Sequence, residues 1–141
     1  MQNKRLERTR HQHASLLSSV GEPLKRNVGL LEMNMDRIEQ VVGEIYNEAL
    51  EDYVGLWTIP WHFREMFGVG DEQVRRSESF KVIERLLRFP DIGIGQFRDK
   101  DLVFDFWNLS PLDALNKIAI EWNALGHEPD IADIGWFTSK D

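Results

Sequence analysis

The chain has 141 residues, and 17 Lys and Arg against 24 Asp and Glu residues give a formal net charge of −7 at pH 7. This length suits one domain with one core, and a hydrophobic fraction of 42% favours a folded protein over a disordered one. Cysteine is absent, which excludes disulfides, thiolate metal sites and a thiol nucleophile. The sequence contains neither a membrane-length apolar run nor the apolar centre of a signal peptide, so we expect a cytoplasmic protein.

The charge is unevenly distributed along the chain. Residues 1–32 carry six basic against three acidic side chains, a balance of +3, whereas residues 33–141 carry eleven against twenty-one, a balance of −10. We therefore expect a basic leader over 1–32, either disordered or upstream of the natural start, and a single acidic domain over 33–141. An acidic domain favours a basic partner over nucleic acid or an anionic membrane.

The first predicted helix has Asp36 as its N-cap and Gly55 as its stop. Apolar residues at helical spacing define its buried stripe: Ile38, Val41, Val42, Ile45, Ala49, Leu50 and Tyr53.

Two shorter helices follow. Thr58 is the expected cap of the second, because Pro60 is tolerated only in a first turn, and Gly68 fits its end. The third helix opens at Asp71 and must end before Pro90.

A β-hairpin is predicted next, with strands over residues 92–97 and 102–107 and a turn at 98–101. Alternation places Leu102, Phe104 and Phe106 on its buried face. Glycines 93 and 95 resemble a fragment of a dinucleotide fingerprint, but no helix follows them, so we interpret them as close backbone approaches within the hairpin.

Ser110 and Pro111 begin a fourth helix that ends at Gly126, and residues 134–137 form a short closing strand. We expect Trp122, on the apolar stripe of this helix, to face the hairpin's Phe104 and Phe106. The predicted architecture is α+β: three N-terminal helices, a β-hairpin, a long helix and a short closing strand.

No catalytic, cofactor or metal site emerges from the residue pattern. His62 and Glu65 lie three apart on the second helix and could share a proton or a metal, but a packed histidine is the commoner arrangement beside aromatic neighbours. His11 and His13 lack a third ligand nearby. An enzyme remains a third hypothesis, because a site can assemble from residues distant in sequence.

Two interaction surfaces are predicted. Five residues of the last third form a candidate face for a basic partner: Asp101, Asp105, Trp107, Glu128 and Asp130. Trp107 belongs to this set because it shares a strand face with Asp105 rather than with the buried phenylalanines, and Trp is enriched at interfaces. The acidic residues have a second interpretation, as ordinary solvated side chains.

A basic stripe offers the alternative. Lys81, Arg85 and Arg88 are spaced along one face of the third helix, and Arg98 and Lys100 follow in the hairpin. Helix, helix and hairpin is also the order of the later part of a winged-helix domain, in which a helix enters the major groove. A solvated helix face explains the same residues.

The C-terminal part resembles a known group of sequences. The run WNLSPLDAL from Trp107, the helix end EWNALGHEP from Glu121 and the closing IGWF from Ile134 are similar to a group of small uncharacterised bacterial proteins with an EW-x-ALG-x-EP…I-x-WF signature. The likeness extends to GLWTIPW from Gly55, and so covers about residues 40–137. It implies no enzymatic activity, and some proteins of this kind resemble the immunity partners of bacterial toxins.

The leading hypothesis is a small acidic cytoplasmic protein-binding module, an immunity protein that neutralises a basic toxin domain. The alternative is a winged-helix-like nucleic-acid-binding regulator. No cofactor is expected, and the oligomeric state is left open.

Overall fold

The computed structural model describes residues 26–98 and 103–141, with side chains from residue 34 onward. It confirms the α+β class and the predicted order, and it adds a short strand after the first helix. The elements are α1 (Arg26–Ala49), β1 (Val54–Gly55), α2 (Thr58–Phe67), α3 (Glu72–Leu86), β2 (Ile92–Arg98), β3 (Val103–Phe106), α4 (Pro111–Leu125) and β4 (Trp136–Ser139).

Helix α1 begins earlier than its sequence indicates. The prediction that Asp36 caps it is wrong, because the helix starts at Arg26, inside the stretch assigned to the leader. Residues 1–25 of that leader lie outside the described residues. The stripe from Ile38 to Ala49 is buried as predicted. Leu50 and Tyr53 are exposed instead, because the chain leaves the helix at Ala49 and turns into β1.

Local capping sets the limits of α2 and α3. Gly68 ends α2 in the left-handed conformation, with φ +66°, as the sequence predicts. Thr58 is not the cap of α2; it is the first helical residue, and Trp57 takes the cap position without a side-chain hydrogen bond. Asp71 caps α3 by accepting hydrogen bonds from the backbone N–H groups of the next turn. Arg37 of α1 donates to Glu78 of α3 at 2.7 Å and so joins the two helices.

The sheet is antiparallel, with the order β1-β4-β2-β3. The closing strand β4 therefore lies inside the sheet, between the β1 strand and the hairpin. Trp136 of β4 faces Gly55 on one side and Gly95 on the other. A Cβ on Gly95 would lie 2.1 Å from the carbonyl oxygen of Asp105, so this glycine permits a close backbone approach, as the sequence predicts.

Helix α4 has the predicted ends, with the Ser110 side chain as cap and Gly126 at φ +73°. Its packing differs from the prediction. Trp122 lies against Phe80 of α3, with ring centroids 5.1 Å apart, and not against the hairpin phenylalanines. Phe104 packs instead against Tyr53, which directly precedes β1, with ring centroids 5.0 Å apart. Within the described chain, no helix is long and apolar enough to cross a membrane.

Candidate functional site

The most site-like feature of the described chain is a cleft of about 350 Å³ where α1, β1, α2 and β4 meet. We call it the aromatic pocket. Its aromatic walls are Tyr53, Trp57, Trp61 and Trp136. Its ionisable walls are Glu44, Glu48 and His62. The cleft thus combines four aromatic side chains with two carboxylates.

Helical spacing places the pocket side chains in pairs. Glu44 and Glu48 lie one turn apart on α1, and Trp57 and Trp61 lie one turn apart at the start of α2. Sheet register then brings Trp136 beside Gly55, at the edge of the same cleft. Three elements distant in sequence therefore contribute to one wall.

Gly55 is the position that lets two of the indoles come together. A Cβ there would lie 2.4 Å from Nε1 of Trp57 and 3.4 Å from Cζ3 of Trp136. The Trp57 Nε1 is buried without a hydrogen-bond partner among the described residues. An unpaired buried donor costs about 1–3 kcal/mol, so packing rather than hydrogen bonding holds this ring in place.

His62 lines the pocket as a buried side chain. It is 7% exposed, and its Nδ1–H donates to the carbonyl oxygen of Thr58 at 2.6 Å. Burial lowers the pKa of His62 below its ordinary value, and the hydrogen bond to Thr58 and the charges of Glu44 and Glu48 oppose that shift. With Nδ1 protonated, Nε2 carries the lone pair in the neutral ring.

The pair of His62 and Glu65 proposed from the sequence is not brought together. Glu65 is exposed and accepts from Arg64 at 3.1 Å, whereas the carboxylates that influence His62 belong to α1. In the part of the chain that the structure describes, no three His, Asp or Glu side chains are grouped to hold a metal ion.

The residues predicted to bind a basic partner fall into two places. On the hairpin side, Asp105 accepts from Arg98 at 3.0 Å. Trp107 is half-buried; its Nε1–H donates to Gln96 at 3.3 Å, and the ammonium of Lys117 lies 4.8 Å from its ring centroid. Asp101 lies outside the described residues.

The other two predicted residues lie beyond the C-terminal end of α4. Glu128 accepts from Arg75 at 2.9 Å and from Arg64 at 3.2 Å, and so ties the loop after α4 to α3 and α2. Asp130 accepts from the N–H of Ile131 within its own loop.

The cations predicted to bind nucleic acid are mostly paired with carboxylates. Arg85 donates to Glu39, Arg88 donates to Glu84 at 2.9 Å, and Arg98 contacts Asp105 as described above. Lys81 is exposed on α3, and Lys100 lies outside the described residues. Each ion pair lowers the positive potential that a phosphate would meet.

The aromatic pocket was not predicted from the sequence. No site was proposed at Trp57 or Trp61, and no role was assigned to Glu44 or Glu48. The shared four-residue spacing of the two pairs was a usable signal, since each pair must lie on one side of its helix. Trp136, by contrast, reaches the site only through the pairing of β4 with β1.

Comparisons of the chain with protein-family models, with curated proteins and with solved structures find no match. The similarity to small bacterial proteins described above therefore stays a prediction.

Proposed function

We propose that this chain is a protein-binding module for a basic partner, and that it acts as an immunity protein that neutralises a basic toxin domain. The observation that carries the proposal is the aromatic pocket, in which indole rings and carboxylates line the same cleft. Aromatic faces attract cations, and aromatic side chains in a cleft are the usual anchors of protein interfaces.

The distribution of charge supports a basic partner. Of the seven arginines whose side chains the structure describes, six contact a carboxylate within the chain: Arg37, Arg64, Arg75, Arg85, Arg88 and Arg98. The remaining one, Arg76, stacks over the Trp122 ring and donates to Asn123. Because carboxylates outnumber basic side chains, the electrostatic potential around the protein is negative on average. A negative potential accelerates association with a basic protein surface.

The toxin would be neutralised because the bound protein covers its active site. An acidic protein that covers the active site of a nuclease toxin takes the place of the phosphates of its substrate. The proposed action therefore needs tight docking, and it needs no reaction on this chain.

The test is co-production of the full chain with a basic toxin domain encoded by a neighbouring gene, followed by co-purification and a cell-protection assay. We expect a stable complex whose association slows as salt rises. Failure to bind any such neighbour, together with no protection of cells, would overturn the proposal.

Matched charge variants locate the interface. We expect the double variant Glu44→Gln/Glu48→Gln to weaken the complex by about tenfold, the size expected for an interaction worth roughly 1.4 kcal/mol. The control Glu72→Gln/Glu84→Gln removes the same charge from exposed positions on α3 and should stay close to the parent chain. Equal losses in both variants would show that overall charge, and not the pocket, holds the partner.

The winged-helix-like regulator remains the alternative, because α2, α3 and the β2–β3 hairpin follow each other in the predicted order and Lys81 is exposed. Duplex DNA titrated at low salt and followed by fluorescence anisotropy separates the two functions. Binding that weakens steeply with salt and is lost in Lys81→Ala would favour the regulator over the protein-binding module.

A further inference from the structure

We infer that the aromatic pocket is a site for an alkylammonium cation, and that its occupant is a lysine side chain of the basic partner. The assignment of the lysine to a basic partner protein rests on the proposed function. The recognition of the cation itself rests only on the pocket, and it can be measured without the partner.

The aromatic walls supply the first half of the argument. Tryptophan is the ring with the strongest attraction for a cation, which acts within about 6 Å of the ring centroid. Trp57, Trp61 and Trp136 come from two different elements and line one cleft. A volume of about 350 Å³ is within the range of ligand pockets and admits the end of a lysine side chain.

The charged walls supply the second half. Glu44 and Glu48 place two carboxylates on the α1 side of the cleft, and none of the described residues lining it is Lys or Arg. These carboxylates repel an anionic ligand and attract a cationic one. Burial of His62 lowers the pKa of its ring, which disfavours a competing positive charge in the pocket.

The indole N–H signals of the protein give a direct measurement. The chain has 5 tryptophans, of which three line the pocket, while Trp107 and Trp122 lie elsewhere and act as internal controls. We would titrate the full chain with choline and record nitrogen–proton correlation spectra. We expect the signals of Trp57, Trp61 and Trp136 to move and the two control signals to stay in place.

A neutral analogue isolates the contribution of charge. The carbon isostere of choline, in which carbon replaces the quaternary nitrogen, has the same shape without the cation. We expect it to bind at least tenfold more weakly. Equal binding would show a merely apolar cleft, and movement of the control signals instead of the pocket signals would place the cation elsewhere; either result overturns the inference.

Variants test the walls. Glu44→Gln/Glu48→Gln should lower choline affinity severalfold, whereas Glu72→Gln/Glu84→Gln should leave it unchanged. Trp61→Leu should abolish the shifts and Trp61→Phe should retain part of them. If Trp61→Leu does not fold, as judged by circular dichroism, the glutamate pair decides the question alone, and a pair without effect contradicts the inference.

Peptides identify the carrier of the cation. A short lysine peptide should reproduce the choline shifts, and the same peptide with acetyl-lysine should not. Choline binding without lysine-peptide binding would make the pocket a small-molecule site, and equal binding of an arginine peptide would remove the preference for an alkylammonium; both results overturn the lysine assignment. Choline and lysine-peptide binding without a protein partner would instead contradict the proposed function and leave the cation site in place.

Discussion

Replacing Glu128 by glutamine distinguishes the two roles available to this residue, partner binding and internal support. Glu128 accepts from Arg75 at 2.9 Å and from Arg64 at 3.2 Å. The side chains of Arg75 and Glu128 are 11% and 12% exposed, whereas that of Arg64 is 45% exposed. The Arg75 guanidinium also donates to the Val69 carbonyl oxygen at 2.9 Å, which fixes it in the interior.

The expected loss follows from that burial. Removing one member of a buried ion pair leaves the other charge uncompensated and costs about 3–5 kcal/mol. Glutamine keeps one acceptor for Arg75, so we expect a loss near the lower end, about 3 kcal/mol. Arg64→Met removes the exposed guanidinium that contacts Glu128 and Glu65, and should cost less than about 1 kcal/mol. The free energy of unfolding of a domain is about 5–15 kcal/mol, so the loss expected for Glu128→Gln is easily measured.

Urea unfolding followed by tryptophan fluorescence gives the free energy of unfolding of each variant. Asp130→Asn is a matched control in the same loop, where the exposed carboxylate accepts from the backbone N–H of Ile131. If Glu128→Gln is as stable as this control and instead loses partner binding, Glu128 belongs to an interaction face and our reasoning from burial is wrong.

Three further predictions follow from the packing. Trp122→Ala should cost about 3–5 kcal/mol, because Trp122 is 4% exposed and packs on Phe80. Trp107→Ala should cost clearly less, and equal losses in urea unfolding would place Trp107 in the core. Gly95→Ala should lower the thermal midpoint strongly, since the added Cβ would lie 2.1 Å from the backbone oxygen of Asp105. The control Gly70→Ala, where a Cβ would have no atom within 4 Å, should leave the midpoint nearly unchanged. Similar midpoints for the two variants would contradict the close approach at Gly95. Finally, because the pKa of His62 is lowered from 6.5 in the folded state, the unfolded chain takes up the proton first as pH falls. The free energy of unfolding should therefore decrease below about pH 6.5, and a His62→Gln variant with the same decrease would exclude this histidine as its cause.

The sequence alone determined several features that depend on near neighbours, although the predicted caps Asp36 and Thr58 were wrong. Four helix ends were predicted correctly: the N-caps Asp71 and Ser110, and the C-terminal glycines Gly68 and Gly126. They were predictable because a cap hydrogen bond or a left-handed φ involves only the adjacent turn of the helix. The hairpin strands were predictable for a related reason, since alternation and turn composition are also local.

The tertiary structure decided everything that depends on which surfaces meet. Periodicity showed that Trp122 is buried but not that it faces Phe80, because a stripe of apolar residues identifies the inward side of a helix without identifying its neighbour. In the same way, the sequence did not distinguish Glu128 from the other acidic residues. Glu128 is the counter-ion of Arg75 only because the loop after α4 packs against α3. The aromatic pocket depends on the pairing of β4 with β1, which sets Trp136 beside Gly55 and Trp57. That pairing joins two strands that are far apart in the sequence, and burial of hydrophobic residues from the whole fold selects it. No local pattern in the sequence could therefore specify it.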